Sequence, residues 1–275
     1  MLDVFRTEMV KQWRRPRTYL VLGLTVVIPI IIAIAIKANP PSLSGDRGPE
    51  ERFTFFATST GLFLPVVSLQ FMSRFLLVII VTLFAGDAVA SEASWGNLRA
   101  VLTRPIARAR LLGAKLGAAG ALAVIATILI GVTGLAAGVI AFGWHPLNLP
   151  LPGAAFHQSQ AHVLANLALA SAYVLWSITG VAALAFMVST MTDSPASAVF
   201  AGFGLYVVSQ ILGSITSLGS IRYVLPTYYF DAWTDLFRGH GPSADMLRGT
   251  LLQIGYIVAF LGFGFWYFRR KDVLS

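Results

Sequence analysis

An all-α, polytopic membrane fold is predicted by three features of the sequence. Hydrophobic residues make up 56% of the 275 and charged residues only 12%, against roughly 25% charged in soluble domains. The apolar residues gather in runs of about 20, the length that crosses roughly 30 Å of hydrocarbon as a helix. Those runs are unbroken, whereas barrel strands would alternate apolar and polar positions. Backbone groups in lipid must be satisfied internally, so unbroken runs mean helices.

The chain reads as one transmembrane domain over 1–275. Its six spans fall at 18–36, 61–86, 115–142, 163–190, 197–217 and 249–268. Residues 1–17 come before the first. There Leu2, Phe5, Met9 and Trp13 recur at helical spacing, with Glu8, Lys11, Arg14 and Arg15 opposite. An apolar stripe with Trp and a basic face suit a helix lying at the headgroup boundary, in contact with lipid. It serves either as a topology anchor or as a connecting helix that touches a partner. Its charges, and the lack of a small-residue cleavage site after the apolar run, argue against a cleavable signal peptide.

Arg74 stands inside the second run. A charge at the bilayer centre costs about 2.5–3.5 kcal/mol on insertion scales. Arg74 therefore faces the bundle, or the span is really 73–90 and Arg74 sits at the interface. Gln70, Arg74, Asn166, Ser177 and Gln210 are candidates for a polar transport pathway. Each uncharged one also reads as an interhelical hydrogen bond. Gly113-x-x-x-Gly117 and Gly134-x-x-x-Gly138 offer close helix packing on the third span.

Residues 87–114 carry helix-compatible sequence through Glu92, Leu98, Val101 and Leu102 as far as Arg104-Pro105. Proline disfavours helix at the residue before it, so a turn is expected there. The chain restarts at Ile106, giving a helical hairpin with Arg99, Arg104 and Arg108 beside apolar side chains. A topology anchor needs only the basic residues. The mixture suits a docking knob for a partner with a complementary acidic cleft. Residues 218–248 are aromatic, and Pro226 starts a helix carrying Tyr229, Phe230, Trp233, Leu236 and Phe237. This is an outer or re-entrant element, or an aromatic belt at the interface.

Six spans put both termini on one side. That side holds 13 Lys and Arg against 6 on the other, so both termini are expected in the cytoplasm. The net charge of +8 is this topological excess, and no nucleic-acid partner is expected. With no cysteine, thiolate chemistry is excluded. The stretch GAKLGAAG has the letters of a phosphate loop but not its spacing. G-x-S-x-G and H-E-x-x-H are missing too. His145, His157 and His162 cluster without cysteine or carboxylate, so no metal site is expected. An intramembrane enzyme would need a nucleophile–base pair within the spans. An ion-coupled secondary transporter or channel would need ionisable pairs near the midplane or an inverted repeat.

The segment after span two resembles the membrane subunits of ABC transporters of the type 2 exporter class. The matching residues are Glu92, Gly96, Leu98, Leu102, Pro105, Arg108 and Lys115. The ending Phe268, Arg269, Arg270, Asp272 and the stretch LPTYYFDAW are similar as well. The resemblance implies a permease without enzymatic activity or cofactor of its own, with ATP and Mg on separate cytoplasmic ATPase subunits. It implies a second permease subunit, identical or not, and a bacterial plasma membrane. The hairpin would be the coupling element, with Glu92, Gly96, Leu98, Leu102, Arg104, Pro105 and Arg108 meeting the ATPase. Re-entrant helices would precede span six. Export of a drug, lipid or peptide is the expected activity.

Overall fold

A computed structural model describes residues 2–41, 49–94, 107–151, 154–238 and 241–270. Helix α1 covers Leu2–Trp13 and α2 Pro16–Ala38; α3 covers Pro49–Ser59, α4 Leu64–Ser73 and α5 Leu76–Ser94. Then follow α6, Arg108–Phe142; α7, Gln160–Met191; α8, Pro195–Ser214; and α9, Ala244–Arg270. Six of these (α2 and α5 to α9) are long and apolar enough to cross a membrane. A short β-ribbon, Leu147–Leu151 against Ala154–Gln158 with Leu149 opposite Phe156, is added between α6 and α7. Two 3-10 segments, Thr216–Val224 and Phe230–Arg238, lead into α9.

Local chemistry sets the ends. Pro16 and Pro195 open α2 and α8, where a missing N–H costs nothing. Ser159 caps α7 through the His162 N–H at 3.3 Å. Gly143, at φ 81°, ends α6 in a conformation that a side chain would strain.

Span two departs from the continuous 61–86 expected. A 3-10 turn at Gly61–Phe63 leads into α4, the helix breaks at Arg74 and Phe75, and α5 starts at Leu76. Ser73 Oγ bonds the Gln70 carbonyl at 3.3 Å, competing with the backbone there. Helix α5 alone is about 28 Å long, enough for the hydrocarbon core. Arg74 thus sits at a helix break and not within a span.

Helix α5 is the centre of the bundle. It packs on α6, α7 and α8, and 78% of its apolar window is buried, against 17% for α9. Its Val89 and Ala90 N–H groups reach Ser189 Oγ on α7 at 3.1 and 2.9 Å. Arg108, opening α6, donates to the Phe268 and Arg269 carbonyls at the end of α9. The end of α5, the start of α6, the ends of α7 and α9, and α1 therefore share one end of the bundle. We call it the arm end. At the far end the Gly61 N–H bonds the Gly143 carbonyl at 3.1 Å, holding α4 against the end of α6.

Candidate functional site

Four side chains at the arm end close a ring of alternating charge. Lys11 meets Glu8 at 2.9 Å and Glu92 at 3.0 Å. Lys115 meets the same two carboxylates at 3.0 and 2.8 Å. Glu8 and Lys11 come from α1, Glu92 from the last turn of α5, and Lys115 from the second turn of α6. The Lys115 side chain is only 2% exposed. One turn deeper along α5, Asp87 takes both Arg15 and Arg17, and Arg15 also reaches Ser91 at 3.3 Å. Asp87 is 2% exposed. Removing either partner from such a group leaves an uncompensated buried charge.

The polar face of α1 is therefore not turned wholly to solvent. Glu8 and Gln12 are buried against the bundle, while Arg6, Val10 and Arg14 are exposed. Phe5 approaches Gly117 on α6, and Met9 and Trp13 pack on the core.

Burial works against the charge of Lys11, but its hydrogen bonds to Glu8 and Glu92 outweigh that and raise its pKa above the usual lysine value. A lysine whose folded pKa is raised contributes in full below its unfolded pKa of about 10.4. The contribution is lost only as pH rises through the higher folded value. Titration of Lys11 therefore leaves α1 docked between about pH 7 and pH 9. Limited proteolysis of the arm over that range should give a constant rate; a rise within it contradicts the ring.

Glu92 and Lys115 flank the basic stretch between α5 and α6. Gly96, Leu98, Leu102, Arg104 and Pro105, with the turn expected there, lie outside the described residues. Arg108 meets the terminal carbonyls of α9, where a cation offsets the helix dipole.

The proposed pathway residues gather at the far end around the two 3-10 segments. Arg74 pairs with Asp231 at 3.0 Å. Asn166 Nδ2 donates to the Leu236 carbonyl at 2.9 Å. Gln210 donates to the Tyr206 hydroxyl at 3.1 Å, and the Tyr206 ring packs edge-on to Phe230. Ser177 is buried one turn along α7 from Tyr173, whose hydroxyl donates to the Tyr229 carbonyl at 2.8 Å. Gln70 is 3% exposed, with no protein partner for either amide atom among the described residues.

Two side chains not singled out in the sequence complete this set. Gln253 donates to the Pro226 carbonyl at 2.6 Å, and the Tyr256 hydroxyl to that of Val224 at 2.8 Å. Non-α backbone inside a membrane protein needs such partners. Asn166, Tyr173, Gln253 and Tyr256 supply them. His145 gives its carbonyl to Thr60 at 2.6 Å, and no group of three metal-ligating side chains gathers among the described residues.

Between α5, α6, α7 and α9 lies a cavity of about 360 Å³, lined by Val81, Ala85, Gly120, Ala123, Trp176 and Leu261 among others. Among the described residues no charged side chain lines it. Small residues keep the helices close yet leave this space between them.

Six membrane-length helices among the described residues, α5 the most buried of them, make this a multi-pass membrane protein. The chain belongs to the family described as Protein of unknown function (DUF2705), whose model matches residues 20–274. No curated protein matches it significantly.

Proposed function

We propose that the chain is the membrane subunit of an ATP-driven exporter of the ABC type 2 class, moving an apolar or amphipathic compound. In this reading the arm end faces the cytoplasm of a bacterial cell, and paired ATPase subunits dock on the basic stretch between α5 and α6. The charge ring carries the proposal. It ties together both legs of that stretch and α1, so a push on the stretch is delivered to α5, the most buried of the six membrane-length helices. The excess of Lys and Arg on this side supports the orientation. The uncharged cavity supports an apolar cargo. ATP and Mg belong to the partner, and a second permease subunit completes the assembly.

The test is to purify the tagged chain from its own host and ask whether a soluble ATPase accompanies it in equimolar ratio. Its absence, with transport driven by an ion gradient, sinks the reading. Arg104→Glu should leave insertion and melting unchanged and lower coupled ATP hydrolysis at least about tenfold, since like charges across an interface cost several kcal/mol. Arg104 is the better choice for reversal, because Arg108 also caps α9.

A further inference from the structure

The two 3-10 segments are attached to the bundle unequally. Toward α7, α8 and α9 they and the linker 225–229 that joins them are hydrogen-bonded: Asn166 to Leu236, Tyr256 to Val224, and Tyr173, Ser209 and Gln253 to the linker. Toward α3 and α4 they meet rings: Phe63 lies edge-on to Phe237 at 5.6 Å, and Phe53 stacks on Trp233 at 6.4 Å. The Arg74–Asp231 pair closes the other end of that contact. Helix α4 is fixed instead to α6, through Gly61, Pro65 and the glycines facing them. A seam therefore runs between two bodies, one riding on α6 and one on α7 to α9.

Gln70 falls in sequence between Phe63 and Arg74, the residues that meet the second 3-10 segment at the two ends of this seam. Phe63, Gln70 and Arg74 share one face at helical spacing. Residues 231, 234 and 237 share one face of the 3-10 segment, which repeats every three residues. Phe63 meets Phe237 and Arg74 meets Asp231, so this spacing sets Gln70 on the α4 face between those two contacts. The two Gln70 amide atoms have no protein partner among the described residues, which makes closure costly, since a buried polar group without a partner is destabilising.

We propose that this seam is the gate at the far end of the bundle, latched by Arg74–Asp231, with Gln70 the uncharged polar group that a passing compound meets between that latch and the Phe63–Phe237 contact when it parts. The seam serves export only if the permease reading holds, but its opening is a property of the chain alone.

The chain has no cysteine, so single thiols report cleanly. Gln70→Cys in the purified chain should react slowly with a polar maleimide, and about fivefold faster when Arg74→Ala is added, the factor for a partly exposed ion pair. Leu64→Cys, on the α4 face against Gly138, should stay unreactive in both backgrounds. Gln70→Leu should raise the melting temperature by about 2–4 °C. Equal Gln70→Cys rates in the two backgrounds overturn the gate. So does Leu64→Cys reacting in parallel, which would mean general loosening. So does a Gln70→Leu variant that melts no higher than the parent. No ATPase is present in these assays, so their failure leaves the permease reading standing, and a missing ATPase leaves the gate standing.

Discussion

Lys115→Met will be among the most damaging single changes in this chain. The lysine is buried and bridges Glu8 and Glu92. Methionine keeps most of the volume but leaves two buried carboxylates sharing Lys11, which is itself partly exposed. Breaking a buried pair from one side costs about 3–5 kcal/mol. The expected result is a melting temperature well below the parent's and an arm released to protease. A charge exchange separates a ring from a simple pair. If Glu92 and Lys115 were an isolated pair, the double variant Glu92→Lys, Lys115→Glu would recover stability. In the ring the exchange sets the new ammonium beside Lys11 and the new carboxylate beside Glu8, so two of the four contacts become repulsive. The exchanged variant should melt no higher than Lys115→Met. Recovery to the parental value would show that α1 takes no part in the site.

The ring explains what could and could not be read from the chain. Unbroken apolar runs announce spans because lipid leaves the backbone no alternative to helix. Among the described residues six helices are accordingly long and apolar enough to cross a membrane. The partners in the ring are another matter. Glu8 and Lys115 are 107 residues apart, and Lys11 and Glu92 are 81 apart. Local pattern says nothing about such meetings. A signal was nevertheless present: Asp87 and Glu92 are acids at the end of an apolar run, and each needs a cation once the helix is packed.

The far end shows a different limit. The aromatic stretch before α9 reads as an outer or re-entrant element or an interfacial belt, and its two 3-10 segments with a carbonyl-anchored linker are not legible in it. Gln253, Tyr256 and Tyr173 read as ordinary span residues until their acceptors are known. The β-ribbon escaped because Leu149-Pro150-Leu151-Pro152-Gly153 reads as a connector. A span of 73–90 with Arg74 at the interface was one of two alternatives in the sequence, but neither the helix break there nor the Asp231 partner 157 residues away was legible.

Gly138→Ala should unseat α4 from α6, whereas Gly131→Ala, two turns earlier on the same helix, should not. A methyl on Gly138 would fall on the Gly61 carbonyl and within 2.8 Å of Leu64 Cβ. Gly61 faces it so closely that a methyl there would meet the Gly138 carbonyl and lie 2.6 Å from the Val139 nitrogen. Both obstacles involve backbone, which cannot rotate away. The Gly61 N–H also spans to the Gly143 carbonyl, so the two chains are pinned on either side of the contact. Overpacking of this kind costs about 3 kcal/mol, and small residues at helix contacts are the main source of affinity between helices in lipid. Gly131 has nothing within 4 Å of the same added atom. Alanine there should be neutral, or stabilising by up to about 1 kcal/mol through helix propensity. Melting of the two variants in one detergent is the comparison to make, with Leu64→Cys labelling as the local readout. In the Gly138→Ala background that thiol should become reactive, because it faces the contact that is lost. Equal melting of the two variants, with Leu64→Cys still protected, would mean that α4 is held elsewhere, and the body carrying one side of the proposed gate would have to be redrawn.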